Sequence, residues 1–171
     1  MKANLLMNFT VDKAAKKLKI EREFAAPLAN VWAAWTQSDL LDQWWAPRPW
    51  KTETRSMDFK PGGVWIYAMV GPQGEKHWCR NDYNSVTPLK SFSGRDAFCD
   101  EMARVNESMP QSIWANEFSE AADGTLVKIE VAYEELADLE KILEMGMQQG
   151  LTAALENLDE LLDSQLNTGN R

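Results

Sequence analysis

The chain has little from which to build a metal centre or a disulfide frame. It holds two cysteines, Cys79 and Cys99, and one histidine, His77. A four-ligand zinc set and its usual spacings do not occur. Gly-x-Ser-x-Gly, Gly-x-Gly-x-x-Gly and Walker-type stretches are missing too, which removes the sequence elements of serine-elbow, dinucleotide and phosphate-loop chemistry. No apolar run has the length of a membrane span or a signal peptide. The expectation is a cytoplasmic protein with reduced thiols. Basic charge is also short: 18 Lys and Arg against 26 Asp and Glu leave a net charge of −8. Such a chain repels phosphate backbones, so no nucleic-acid partner is expected. The local cluster of Lys13, Lys16, Lys17 and Lys19 reads as a solvated hairpin turn.

What remains is a chain of 171 residues, 44% of them hydrophobic. A domain of that length buries roughly 70% of its unfolded surface and needs no metal or disulfide for stability. One domain is expected over 1–171, with its core at about 9–165 and a short flexible C-terminal tail. Eight tryptophans stand out; large aromatics fill cores and also line cavities.

Phe9 to Asp12 and Lys17 to Phe24 read as strands, the second alternating Leu18, Ile20 and Arg22 with charged residues. Pro27 suits a first helical turn, followed by Leu28, Val31, Trp32 and Trp35 at helical spacing. Ser38 is a candidate N-cap for a second short helix carrying Leu40, Leu41, Trp44 and Trp45. Strands are predicted over Thr52 to Phe59, Val64 to Val70, Lys76 to Val86, Ser91 to Phe98, Gln111 to Glu120 and Leu126 to Glu134. Gly- and Pro-containing turns separate most of them. One long amphipathic helix closes the chain, from Asp138 to Gln165, with Leu139, Ile142, Leu143, Met147, Leu151, Leu155, Leu158 and Leu162 on its apolar stripe. Asp138 is its candidate cap. Gly146 and Gly150 lie in its interior, each at a cost of about 1 kcal/mol against alanine. Such a cost suggests close approach of a sheet aromatic or a ligand. Its acidic face, with Glu156, Asp159, Glu160 and Asp163, opposes the helix dipole unless a basic strand lies near. The element order predicts an α+β fold, a curved antiparallel meander wrapped around the last helix.

Phe24-Ala25-Ala26-Pro27 with Val31-Trp32 and Trp35, Leu40-Leu41-Asp42-Gln43-Trp44-Trp45-Ala46-Pro47, Gly62-Gly63-Val64-Trp65, Gly71-Pro72-Gln73-Gly74 with His77-Trp78, and Glu144-Met145-Gly146 through Leu151 to Leu158 follow in a familiar order. On these stretches the chain resembles the START-like (SRPBCC, helix-grip) superfamily. Within it, the chain is similar to the group related to the C-terminal domain of the activator of the heat-shock protein 90 ATPase. The resemblance implies a helix-grip fold. It also implies one of three activities: binding of lipids or hydrophobic small molecules, protein interaction, or cyclase-like chemistry. No counterpart of the extra N-terminal domain of full chaperone activators is expected.

Trp65, Tyr67 and Met69 share one strand face, and Trp114 and Phe118 another. With Met147 and Leu151 they are expected to line a groove, where Tyr67, His77 and Tyr83 offer polar tips to a ligand. Val127, Ile129, Val131 and Tyr133 form a third face. No catalytic residue, cofactor or metal site is assigned. A site from His77, Cys79 and Cys99 requires that Cys79 face Cys99 across a turn near Leu89. Asp82, Asp96, Asp100 and Glu101 are read as wet-face carboxylates. The expected partner is a hydrophobic or amphipathic small molecule. The alternatives are a protein partner, or an enzyme using the same pocket with His77 or Tyr67 as its titratable group.

Overall fold

A computed structural model describes residues 5–169. Eight strands form one antiparallel sheet: β1 (Met7–Asp12), β2 (Lys17–Phe24), β3 (Lys51–Met57), β4 (Val64–Val70), β5 (Lys76–Thr87), β6 (Ser91–Cys99), β7 (Ser112–Ala121) and β8 (Gly124–Tyr133). Their order is β1-β2-β8-β7-β6-β5-β4-β3. β3 to β8 run as a meander, and β8 returns to pair with β2 from Lys17↔Ala132 to Phe24↔Thr125. Alternation decides which face is buried: Leu18, Ile20, Arg22 and Phe24 of β2 point inward, as do Val127, Ile129, Val131 and Tyr133 of β8.

The helices α1 (Leu28–Thr36), α2 (Ser38–Trp44), α3 (Leu136–Glu144) and α4 (Met147–Gly169) account for the rest of the regular structure among the described residues. Pro27 precedes α1 as its N-cap residue. The Ser38 cap is corrected: Gln37 occupies the N-cap of α2, without a side-chain bond, and Ser38 is the first helical residue. Asp138 likewise falls in the first turn of α3, whose N-cap is Glu135.

The predicted single long helix is broken. Gly146 takes φ 93°, a left-handed angle that ends α3 and that other residues adopt only at a cost. Its N–H bonds the Leu143 carbonyl at 3.1 Å. Crowding plays no part, since a Cβ placed on Gly146 meets no atom within 4 Å. α4 then continues to Gly169, past the expected end at Gln165. Of the tail expected beyond it, residues 170 and 171 lie outside the described residues. Among the described residues no helix is long and apolar enough to cross a membrane.

Two buried polar contacts fix α4 on the sheet and on α2. Arg22 of β2 pairs with Asp159, their side chains 9% and 14% exposed, and its guanidinium lies 4.7 Å from the Phe24 ring centroid. This supplies the basic strand that the acidic helix face required. Asn157 donates to the Ala46 carbonyl at 3.0 Å and the Trp44 carbonyl at 3.5 Å, satisfying groups left open by the end of α2.

Candidate functional site

The concave side of the sheet is filled unevenly. Toward α1 it is solid. Trp32 meets Phe59, Phe92 and Phe118 edge-on, with ring centroids 5.9, 5.9 and 5.1 Å apart, and Trp35 meets Trp44 at 4.7 Å. Toward α3 and α4 the rings stop short. A cavity of about 260 Å³ lies there, walled by Trp45, Tyr67, Met69, Phe98, Trp114 and Tyr133 on one side and by Ile142, Met147, Gly150 and Leu151 on the other. Met145 and Gly146 border it, so the break between α3 and α4 is part of its rim. Gly150 faces the cavity beside Pro47, whose Cγ would lie 3.8 Å from an added Cβ.

The walls are tied down by hydrogen bonds. Trp45 Nε1 donates to the Tyr67 hydroxyl at 3.1 Å, and the Tyr67 ring stacks on Trp65 with centroids 4.0 Å apart. Trp65 Nε1 donates to Thr54 Oγ1 at 3.0 Å, and Thr54 Oγ1 in turn donates to Asp42 at 2.6 Å. Trp114 Nε1 donates to Ser112 Oγ at 3.0 Å. Rings held this way keep an open space open.

Among the described residues, one charged side chain reaches this cavity: Asp96, of β6. It lies opposite Asn81 of β5 and Ser112 of β7. No hydrogen bond or ion pair to it is found among the described residues. Burial without a compensating donor pushes its carboxyl up to about 7. Its neighbours are weak acids. Burial raises the Tyr67 hydroxyl well above its usual range, reinforced by Cys79 and Asp96. Burial also raises the Cys79 thiol and the Tyr133 hydroxyl, again with Asp96 contributing. Behind Asp96 a recess of about 20 Å³ is bordered by Asn81, Asn116, Trp65 and Tyr83.

The residues singled out from sequence are divided among three places. Tyr67, Met69, Trp114, Met147 and Leu151 line the cavity. Trp65 and Tyr83 border the small recess, and Phe118 is buried in the aromatic core. His77 lies outside the lining: it is exposed and packs its ring 5.3 Å from that of Trp50. The converging thiols are also corrected. Cys79 pairs with Phe98 and Trp78 with Cys99, so the two thiols point to opposite faces. The wet-face reading of Asp96 is overturned, whereas Asp82 fits it, bound to Arg80 at 2.6 Å. Asp96 shares the parity of Phe92 and Phe98 on β6, a signal available in the sequence. Trp45 and Pro47 of the lining were likewise not anticipated. A wider cleft of about 550 Å³ lies over residues 107–111, but Arg95, Glu107, Gln111, Glu134 and Asp138 make it polar.

Comparison with known proteins agrees with this architecture. Residues 25–163 match the family model described as Activator of Hsp90 ATPase homolog 1-like protein. A crystal structure of a Mycobacterium smegmatis protein is 30% identical, with 92% of this chain and 96% of that one covered at a TM-score of 0.85. A solution structure from Arthrobacter aurescens is 26% identical, covering 92% and 91% at a TM-score of 0.87. A crystal structure from Nitrosomonas europaea is 26% identical, covering 90% and 98% at 0.78. No functionally curated protein matches the chain. With the helix-grip architecture and a family match over most of its length, the chain belongs to the family of Activator of Hsp90 ATPase homolog 1-like proteins.

Proposed function

We propose that this protein binds a small hydrophobic or amphipathic molecule in the cavity between the sheet and the α3–α4 pair. The observation that carries the reading is an unpartnered carboxyl, Asp96, on an otherwise largely apolar and aromatic wall. Small-molecule sites combine such walls with a few polar groups that fix orientation. The volume of about 260 Å³ falls just under the usual range for drug-sized ligands, roughly 300–1,000 Å³, and favours a compact one- or two-ring compound. Protein interaction through the acidic helix face has less support. Asp159 is bound to Arg22 and Glu160 to Arg48, which reduces the free charge on that face.

The test is fluorescence titration with indole, naphthalene and 2-phenylethanol, since Trp45 and Trp114 line the cavity. Saturable quenching is expected in the wild type and in Gly150→Ala. Gly150→Phe places a ring in the cavity and should weaken binding by about tenfold or more. Equal binding by Gly150→Phe, or no saturable binding at all, would refute the proposal.

A second reading, acid–base chemistry on the bound molecule, rests on Asp96 alone. A carboxyl raised to about 7 suits proton transfer near neutrality. Loss of turnover in Asp96→Asn with affinity retained would favour it over simple binding.

A further inference from the structure

Resting on the binding reading above, we propose that the polar end of the ligand is a primary ammonium, seated on Asp96 between the rings of Trp45, Tyr67, Trp114 and Tyr133.

The polar inventory at this end of the cavity is one-sided. Three of its acceptors are free. Asp96 has no partner among the described residues, and the buried Oδ1 atoms of Asn81 and Asn116 have none either. All three residues border the same recess of about 20 Å³. A buried polar atom without a partner costs about 1–3 kcal/mol, so the two amide oxygens, with Asp96 beside them, favour whatever group can serve them. The indole donors nearby, by contrast, are committed. The indole N–H of Trp45 goes to Tyr67, that of Trp114 to Ser112 and that of Trp65 to Thr54. Among the described residues no lysine, arginine or histidine lines the cavity or the recess. The missing complement is a compact cationic donor. An ammonium carries three N–H groups and a charge, and the recess is about the size of one small polar group.

The aromatic walls fit the same cation. Ring faces attract ammonium groups within about 6 Å, most strongly in desolvated sites. Trp45 and Trp114 stand 5.9 Å apart on one side of this end. A carboxylate or phosphate ligand would meet Asp96 and the net charge of −8 as like charge.

The titratable groups facing Asp96 are Tyr67 from β4, Cys79 and Tyr83 from β5 and Tyr133 from β8. β7 contributes none to the lining, nor do α1, α2, α3 and α4. The tyrosines and the thiol are raised further from neutrality. Asp96 is therefore the group in the site that changes charge between pH 5.5 and 8, through its value of about 7. An alkylammonium stays charged throughout, so its affinity must rise with pH.

Matched pairs test this: 2-phenylethylamine against 2-phenylethanol, and tryptamine against tryptophol, by calorimetry at pH 5.5 and pH 8 in the wild type. The amine is expected to bind about tenfold tighter than the alcohol at pH 8. That preference should shrink about tenfold at pH 5.5, as Asp96 takes up its proton. Asp96→Asn should abolish the preference. The wild-type pairs decide the matter even if that variant folds poorly. Alcohols that bind as well as amines at pH 8, or an amine preference that survives in Asp96→Asn, would overturn the ammonium assignment and leave the cavity reading standing. Failure of every compound to bind would overturn both.

Discussion

Trp45 and Tyr67 are joined by a hydrogen bond of 3.1 Å from indole N–H to phenol oxygen. It links the segment after α2 to the middle of β4 and holds two cavity walls at a fixed angle. Tyr67→Phe keeps the ring stacked on Trp65 but leaves the Trp45 N–H without its acceptor. The expected loss is about 1–3 kcal/mol, read from urea denaturation. Unchanged stability would mean that the bond contributes nothing in solution.

The pairing of Arg22 with Asp159 fastens α4 to β2 in a nearly closed setting. Asp159→Ala strands a buried guanidinium and should cost about 3–5 kcal/mol. Replacing both residues, Arg22→Met with Asp159→Leu, should cost clearly less, because no charge is left unpaired. Denaturant midpoints of the three variants give the comparison. Equal losses for the single and the double change would show that packing, and not charge, is what matters there.

The two glycines predict opposite outcomes. Gly146 sits at φ 93°, where alanine costs roughly 1–2 kcal/mol. Gly150 has ordinary helical surroundings and only Pro47 near an added Cβ, at 3.8 Å. There alanine should gain up to about 1 kcal/mol from helix propensity. Thermal unfolding of Gly146→Ala and Gly150→Ala checks both; a shift of the same sign in each would contradict the helix break.

Asp96 makes stability depend on pH. Its carboxyl holds its proton to about pH 7 in the fold, against about 4 in an unfolded chain. Between those values the folded state binds more protons, so stability falls as pH rises, by an amount on the order of 2–4 kcal/mol. Asp12 and Asp100, held low first by backbone hydrogen bonds, lose their contribution as pH falls below about 4, outside that window. Asp96→Asn should flatten the decline and be the more stable protein at pH 8. Denaturation series at pH 5, 6, 7 and 8 measure it; parallel curves for the two proteins would place Asp96 in water.

Much of the fold was legible in the sequence because period-two alternation is local. β2, β4 and β8 each declare their buried face within a few residues. The helix break was not legible, because Leu143, Met147 and Leu151 keep their spacing of four across Gly146 and hide a change of backbone angle. The Cys79–Cys99 pairing failed for a different reason. Between Tyr83 and Ser85 the register of β5 on β6 shifts, and one extra residue moves every later pair by one. The same dependence on long-range pairing kept Asp96 obscure. A single carboxylate between alternating residues reads as wet until the strand is known to run under a cavity. His77 had the right parity, but it lies opposite Met69, at an end of β5 that the helices leave exposed.

The most direct test of the account is where a small aromatic compound lands. Methyl and indole NMR signals followed during a titration with indole report it residue by residue. The account predicts saturable shifts at the Trp45 and Trp114 N–H groups and at the methyls of Met69, Ile142, Met147 and Leu151, with Met102 and Ile113 unmoved. Shifts confined to the cleft over residues 107–111, or none at millimolar ligand, would contradict a binding cavity between the sheet and the α3–α4 pair.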